Sequence, residues 1–231
     1  MENESDIKCW EKIMIEAIEN GAILSQPSKN VLYYLDMVKS IKANITVAEI
    51  GVGVGATSVE IVKRLDERDT FYFFSYEDDV NELKKDLERL DFCYCTLHAK
   101  GNSHHFYDSY NWQLLKMLLN QRKVMYKEEQ GLFDLVYLDG AHTFFHDGLA
   151  CALLKELMKR GGILIFDDVH WTLRSSPTMN PEVNPNTSKR FTEEQIEAEQ
   201  IFMVIKAFME NDKDWKRVGE IGWQTVYRKI K

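Results

Sequence analysis

Two short acidic segments contain the residues best suited to chemistry. Asp139 and His142 lie in the sequence DGAH after the apolar run FDLVYL, and Asp167 and Asp168 follow the run GGILIF. Carboxylates held close together repel one another, so such a cluster persists when a hard cation binds it or when one member keeps its proton. Mg²⁺ fits this site because it binds a few carboxylates together with water and substrate oxygens. His142 is a candidate general base, whereas the simpler alternative for all four side chains is that they cap helices and close turns.

A third segment, VAEIGVGVGATS, carries glycine at alternate positions. Gly51, Gly53 and Gly55 allow backbone conformations that other residues resist, and they let the chain pass close to a ligand. The helix that follows would point free N–H groups at this turn, which favours a nucleotide-like ligand. The dinucleotide fingerprint GxGxxG has its last glycine where this sequence has Ala56. Alanine is tolerated there, so the turn alone does not identify the ligand.

Further polar side chains follow the second and third predicted strands. Glu77 and Asp78 come directly after the aromatic run TFYFFSY. An acidic residue roughly 20 positions beyond the glycines can hydrogen-bond to ribose hydroxyls, although a solvated acidic cluster at a helix start is the alternative. Asn102 and Ser103 follow the third strand and could approach an adenine ring, but such residues alone indicate only a turn.

The elements that would position these residues alternate between strands and helices. This alternation predicts an α/β fold with a doubly wound, mostly parallel sheet, and ligands bind such sheets at the carboxyl ends of the strands. Seven strands are predicted, and the last two form an antiparallel C-terminal edge. The predicted strands are 46–50, 70–76, 92–98, 133–138, 163–166, 215–221 and 223–228, and the predicted helices are 6–20, 31–43, 56–65, 80–90, 105–127, 144–159 and 192–209.

Local signals set some of these boundaries and the domain division. Gly161 and Gly162 are expected to stop the helix 144–159, and Thr192 with Gln195 forms a capping-box pattern that starts the helix after it. The two helices before the first strand are interpreted as an N-terminal helical cap, residues 1–44. Residues 45–231 are interpreted as one globular cofactor-binding unit.

Composition excludes several functional classes. The 231 residues carry a formal net charge of −8 and are 45% apolar, which argues for a globular protein and against nonspecific nucleic-acid binding. The start, MENESDIKCWEK, has no apolar core of a secretory signal, and no apolar run is long enough to span a membrane. The four cysteines form no CxxC pair, so we expect reduced thiols and a cytoplasmic protein. A small-molecule acceptor is the expected partner, and a homodimer is left open.

Taken together, the motifs resemble the class I S-adenosylmethionine-dependent methyltransferases. The segment EIGVGVG resembles that family's first motif, in which an acidic residue precedes GxGxG, and Glu77 matches its second, ribose-binding acidic position. The pair FDLVYLDGAH and GGILIFDD is similar to a metal-associated O-methyltransferase subgroup, which includes catechol-type and sugar O-methyltransferases. The resemblance covers about residues 46–169, and it leaves out the cap, the loop 172–189 and the C-terminal helix.

The resemblance implies that S-adenosylmethionine is the cofactor and that it lies across the strand ends. The glycine turn would contact its methionine end, Glu77 its ribose, and Asn102 and Ser103 its adenine. The residues implied to bind the cofactor are Glu49, Gly51, Gly53, Thr57, Glu77, Asp78, Asn102, Ser103 and Asp139.

The resemblance also implies a metal site, with Asp139, Asp167 and Asp168 as ligands of Mg²⁺. The sequence departs from the subgroup at Ala141, because sugar-methylating relatives often read DGDH there, with the second aspartate near the acceptor. His142 then becomes the nearest candidate for the base, with Asp139 as the second catalytic residue. The catechol-type enzymes read Asp-Asn after the fifth strand, where this chain reads Asp-Asp.

These observations favour transfer of a methyl group from S-adenosylmethionine to a hydroxyl of a small molecule such as a sugar or diol, with a divalent metal. A hydroxyl is a poor nucleophile until its proton leaves, and a cation that binds substrate oxygens lowers its pKa and fixes the angle of attack. The loop 172–189, which begins near Trp171 and Arg174, is expected to close over the acceptor. The alternatives are a metal-independent N- or C-methyltransferase, whose carboxylates bind an amine, and a non-catalytic cofactor-binding subunit.

Overall fold

The fold is a seven-stranded sheet with helices on both faces, seen in a computed structural model that describes residues 26–104, 109–124 and 131–231. The predicted helix 6–20 lies outside the described residues. The strands are β1 Thr46–Ile50, β2 Thr70–Tyr76, β3 Thr96–Asn102, β4 Phe133–Leu138, β5 Met158–Phe166, β6 Trp215–Ile221 and β7 Gln224–Lys229. The helices are α1 Lys29–Ile41, α2 Ala56–Val62, α3 Glu77–Glu88, α4 Tyr110–Val124, α5 Leu149–Leu157, α6 Thr187–Arg190, α7 Glu193–Glu197 and α8 Gln200–Phe208, with a π-helical turn at Phe144–Gly148.

The strand order is β3-β2-β1-β4-β5-β7-β6. The pairs from β3 to β5 are all parallel, and β7 runs antiparallel to both of its neighbours, β5 and β6. The predicted α/β class, the doubly wound sheet and the antiparallel C-terminal pair are therefore confirmed. Because β7 inserts beside β5, β6 is the edge strand at the C-terminal side of the sheet, and β3 is the other edge strand.

Side chains of the central strands alternate between two hydrophobic layers, as the pleat of a sheet requires. Val47 and Leu135 face the layer that contains Val31 of α1, whereas Ala48 and Val136 face the opposite layer. The first layer also takes its buried residues from α2 and α3, and the second takes them from α4, α5 and α8. None of the helices in the described part of the chain is long and apolar enough to cross a membrane.

Several predicted boundaries were wrong, and strand pairing explains two of them. β3 begins at Thr96 and not at residue 92, because Thr96 pairs with Thr70 at the start of β2. The helix expected to reach residue 159 ends at Leu157, and β5 begins at Met158, which pairs with Phe133. Glycines 161 and 162 therefore lie inside a strand that shifts register against β4, and they do not stop a helix.

The C-terminal helical region also differs from its prediction. The capping box is confirmed, since the Thr192 hydroxyl accepts from the Gln195 amide and the Gln195 side chain accepts from the Thr192 amide. The helix it starts ends at Glu197, and α8 begins at Gln200, whose side-chain amide donates to the Gln195 carbonyl at 2.9 Å. The Gln195 carbonyl thus accepts from a side chain, whereas in a continuous helix it would accept from a backbone amide.

Candidate functional site

The glycine turn packs directly against the end of β4. Gly51 has φ +84°, and a Cβ atom there would lie 1.8 Å from the carbonyl oxygen of Asp139, so no side chain fits. Gly55 has φ +80° and precedes α2 without a side-chain cap. Both positions therefore require glycine, and the contact brings the predicted cofactor turn against the predicted catalytic segment.

Glu49 lies beneath this turn and is enclosed, with 2% of its surface exposed. Its carboxylate accepts a hydrogen bond from the Ser58 hydroxyl. Burial raises the pKa of Glu49 to about 8, and the Ser58 bond only partly opposes that rise. Thr57 is also buried, and its hydroxyl accepts from the backbone amide of Ser28 at 3.1 Å. Both side chains thus have protein partners under the turn.

The predicted ribose and adenine residues meet at the ends of β2 and β3. Glu77 and Asp78 are exposed at the start of α3. A Cβ atom on Gly101 would lie 2.6 Å from the Cα atom of Glu77, so these two strand ends are in close contact. Asn102 is buried, and its Oδ1 atom has no hydrogen-bond partner among the described residues, while Ser103 beside it is exposed.

The acidic segments extend the parallel ladders beyond the strand ends. The amide of Asp139 donates to the Ile50 carbonyl at 2.9 Å, and the amide of Asp167 donates to the Leu138 carbonyl at 3.0 Å. These bonds place the residues after β1, β4 and β5 side by side at one edge of the sheet, as predicted for ligand sites in such folds.

Asp139, His142 and Asp168 form one cluster, with one ligand atom from each within 4.8 Å of the others. The His142 Nε2 atom lies 3.4 Å from Asp168 Oδ2 and 3.9 Å from Asp139 Oδ1. His142 and Asp168 have φ values of +54° and +50° and so occupy the left-handed region. Strain of this kind in residues other than glycine is concentrated at functional sites.

Asp167 is held apart from this cluster by other partners. Its Oδ2 atom accepts from the Tyr137 hydroxyl and, at 2.9 Å, from the Gln224 side-chain amide. Its Oδ1 atom accepts from the Asp168 backbone amide at 2.8 Å. Of the three predicted metal ligands, Asp139 and Asp168 therefore lie together, with His142 beside them. The third, Asp167, is directed toward Tyr137 and Gln224.

Burial raises the pKa of both clustered carboxyls, whereas the nearby charges affect the two differently. Burial raises the pKa of Asp139 well above its usual value, and the nearby charges of Asp167 and Asp168 raise it further. Burial also raises the pKa of Asp168, which the neighbouring His142 partly opposes. A cation between these groups would favour their charged forms, so the donor set fits a divalent ion.

Sequence reasoning missed four side chains around this cluster. Tyr137 and Gln224 bind Asp167, and Tyr110 and Asp147 lie beneath the turn that carries His142. Tyr137 could have been noticed, because it lies two residues before Asp139 on a buried strand. Gln224 gives no signal in the sequence, because only the insertion of β7 beside β5 brings it to the site.

The segment expected to form a lid is anchored near its start. The Arg174 guanidinium binds Glu193 and Glu197, and the Arg174 backbone amide donates to the Ile196 carbonyl at 3.1 Å. Arg174 is thus turned toward α7. Trp171 differs, because its ring centre lies 5.1 Å from that of His142. Trp171 therefore lies beside the cluster of Asp139, His142 and Asp168.

Comparisons with known proteins agree with this architecture. A search of curated proteins finds no sequence match. An O-methyltransferase from Bacillus cereus in complex with SAH has a similar structure, with a TM-score of 0.56 at 13% identity, covering 96% of this chain and 90% of that chain. TomG from Streptomyces achromogenes, an O-methyltransferase involved in tomaymycin synthesis and in complex with SAM, gives 0.52 at 11% identity, with 100% and 92% covered.

A third similar structure is MycE methyltransferase from the mycinamycin biosynthetic pathway, in complex with Mg, SAH and mycinamycin VI. Its TM-score is 0.51 at 17% identity, with 86% of this chain and 48% of that chain covered. The family model described as "Methyltransferase domain" matches residues 48–169, which is more than half of the sequence and nearly the span of the resemblance described above. This chain belongs to that methyltransferase family, and it is a class I S-adenosylmethionine-dependent methyltransferase.

Proposed function

We propose that the protein transfers a methyl group from S-adenosylmethionine to a hydroxyl of a small molecule, a sugar or diol, with the help of a divalent cation. The observation that carries the proposal is the contact between the two halves of the site. Gly51 touches the backbone of Asp139, so the glycine turn adjoins the segment that carries the cluster of Asp139, His142 and Asp168. Methyl transfer requires donor and acceptor to be held in line at short range.

The donor half of the proposal uses the strand ends from β1 to β3. S-adenosylmethionine would lie over the glycine turn, with its ribose at Glu77 and Asp78 and its adenine near Asn102 and Ser103. The free acceptor atom of Asn102 suits an amino group such as that of adenine. The complexes of the similar B. cereus enzyme with SAH and of TomG with SAM support S-adenosylmethionine as the cofactor.

The acceptor half uses the carboxylates as the cation site. Asp139 and Asp168 would hold the ion, and the Mg in the MycE complex supports magnesium as its identity. When bound, the cation lowers the pKa of the acceptor hydroxyl. Asp167, the remaining predicted ligand, would support the site without binding the ion. Tyr137 and Gln224 fix its carboxylate beside Asp168.

His142 is the proposed general base. Its Nε2 atom accepts the proton of the acceptor hydroxyl as the oxygen forms a bond to the methyl carbon and the carbon–sulfur bond breaks. Asp168, at 3.4 Å, then stabilises the protonated imidazole. A nitrogen bound to a metal cannot accept a proton, so this role requires His142 to stay outside the cation's ligand set.

The decisive experiment combines binding and turnover. Calorimetry should show binding of S-adenosylmethionine and not of NAD, and a screen of diols and sugar derivatives with labelled cofactor should identify the acceptor. Chelation should abolish transfer, and Mg²⁺ should restore it. Transfer that survives chelation would instead favour N- or C-methylation, in which the acidic cluster binds an amine. Cofactor binding without transfer to any acceptor would favour a non-catalytic subunit.

Two variants separate the roles within the cluster. His142→Ala should lower the turnover number by at least about a hundredfold and leave Mg²⁺ binding, measured by calorimetry, nearly unchanged. Asp139→Asn should weaken Mg²⁺ binding and transfer together. Full metal-dependent activity in Asp139→Asn would contradict the cation site, and loss of Mg²⁺ binding in His142→Ala would make His142 a ligand and not the base.

A further inference from the structure

A fully enclosed acid lies beneath the catalytic turn and has no part in the reaction described above. Asp147, on the π-helical turn after β4, is 1% exposed. Its Oδ2 atom has no hydrogen-bond partner among the described residues, and burial raises its pKa. Enclosing a carboxyl in this way is costly, and π-helical turns occur often at functional sites.

Tyr110 links this acid to the catalytic turn. Its hydroxyl donates to Asp147 Oδ1 and accepts from the backbone amide of Ala141 at 3.3 Å. One hydroxyl can serve both as donor and as acceptor. Beside it, the Asn111 side chain donates to the His146 carbonyl at 2.8 Å, so the start of α4 is tied to the π-helical turn by two neighbouring residues.

The backbone between Asp139 and His142 rests on this pair. A Cβ atom on Gly140 would lie 2.3 Å from Asp147 Oδ1 and 2.7 Å from the Tyr110 hydroxyl oxygen, so glycine is required for the contact. The backbone amide of His142 also favours the charged form of Asp147. The two buried side chains therefore contact the turn just before the point where His142 takes its left-handed φ of +54°.

We propose that Tyr110 and Asp147 are positioning residues that hold the 140–142 turn in its strained conformation and so keep the His142 imidazole beside Asp139 and Asp168. The inference rests on the proposed function for the role of His142, but not for the contacts themselves. An apolar pair of the same volume would fill the space without fixing the Ala141 amide, because apolar contacts are not directional.

The test is Tyr110→Phe, which removes the bridging hydroxyl and keeps the ring. The turnover number should fall about tenfold, with the KM for S-adenosylmethionine and its calorimetric affinity changed by less than about twofold. Tyr227→Phe is the matched control, because Tyr227 is also buried and its ring packs edge-on against Phe166. Asp147→Asn keeps an acceptor oxygen for Tyr110 and should retain more turnover than Asp147→Ala.

A double variant and a spectroscopic measurement complete the test. In a His142→Ala background, Tyr110→Phe should cause no further loss of turnover, because the group that it positions is gone. The imidazole NMR signals of His142 should shift in Tyr110→Phe and not in Tyr227→Phe. Unchanged signals, or an equal additional loss in the double variant, would overturn the inference. A wild-type protein without methyl transfer would sink the proposed function, whereas the NMR comparison would still decide the positioning role.

Discussion

At the carboxyl ends of the strands, the backbone restricts which residue types fit. Gly51 must be glycine because the Asp139 carbonyl fills the space of a side chain. His142 and Asp168 pay a conformational cost to bring their polar atoms within 3.4 Å of each other. The meeting of these residues at one edge of the sheet was predictable from the sequence, because residues that follow parallel strands lie at the same edge. The separate partners of Asp167 were not predictable, because they come from distant parts of the chain.

Substitution at Gly51 should therefore be unusually damaging. Gly51→Ala combines a positive φ with a backbone clash, and we expect a loss of about 3 kcal/mol or more in the free energy of unfolding. Gly222→Ala is the matched control, since Gly222 has φ +61° but nothing within 4 Å of an added Cβ, and should lose only about 1 kcal/mol. Urea denaturation measures both. Equal losses would show that φ and not the Asp139 contact sets the requirement.

Glu49 should make the stability of the protein depend on pH. Its pKa is about 8 in the folded protein and near 4.5 when unfolded, so between these values the folded state holds a proton that the unfolded state has lost. Its contribution is complete below about pH 4.5 and is lost as the pH rises to about 8, by about 1.4 kcal/mol per pH unit.

Glu49→Gln removes this titration and keeps the shape of the side chain. The free energy of unfolding of the wild type, relative to that of the variant, should fall across this window in denaturation measured at several pH values. Parallel curves for the two proteins would contradict the assignment of a raised pKa to Glu49.

Secondary-structure elements were predictable where the sequence pattern was strong and local. β1, β2 and β4 have their expected bounds because each is a short, mostly apolar run in the interior of the sheet. The starts of β3 and β5 differ from the prediction because partner strands set them, and α7 and α8 are separate because a side-chain contact interrupts one helical pattern. The π-helical turn has no sequence signal that we could use.

One hydrogen-bonded chain connects β7 and the start of α1 to Asp167. The side-chain amide of Gln224 on β7 donates to Asp167 at 2.9 Å, and the Gln224 Oε1 atom accepts from the Asn30 side chain at 2.8 Å. Its side-chain amide also donates to the hydroxyl of Ser28, which caps α1. Under the proposed function, the cation site would thus depend on groups outside the residues that would hold the ion.

Gln224→Ala should accordingly weaken Mg²⁺ binding about tenfold with little effect on S-adenosylmethionine. Gln113→Ala is the reciprocal control, because Gln113 donates to the Gly101 carbonyl at 2.6 Å, next to Asn102 in the proposed cofactor site. This variant should weaken S-adenosylmethionine binding more than Mg²⁺ binding. Calorimetric titrations of both ligands decide the matter, and identical profiles for the two variants would argue against separate roles.

Across the whole molecule, the two ends of the sheet serve different purposes. The carboxyl end gathers strained and closely spaced acids, whereas at the amino end Asp134 is 4% exposed and fully engaged. It accepts from Lys42, from Lys159 at 2.7 Å and from the Thr46 amide at 2.8 Å, and so joins α1, β1, β4 and β5. The α/β class and its ligand edge were predictable because strand and helix alternate, but the side chains that tie the elements together were not.

This division predicts a variant that loses stability and keeps binding. Asp134→Ala should lower the free energy of unfolding by about 2 kcal/mol, because it leaves the Thr46 amide without its acceptor. Denaturation would show the loss, while S-adenosylmethionine affinity at a temperature well below unfolding should stay within about twofold. A large fall in S-adenosylmethionine affinity in the folded variant would show that the amino and carboxyl ends of the sheet are not independent.

The insertion of β7 beside β5 also imposes an order in time on the working site. Gln224 lies 57 residues after Asp167, so the ribosome delivers the acid well before the amide that fixes it. Until then the β5 edge is unpaired, and an open edge is a template for the wrong strand. A nascent chain thus completes its glycine turn before Gln224 is in place to fix Asp167, so under the proposed function cofactor binding and catalytic competence would arise at different moments of synthesis.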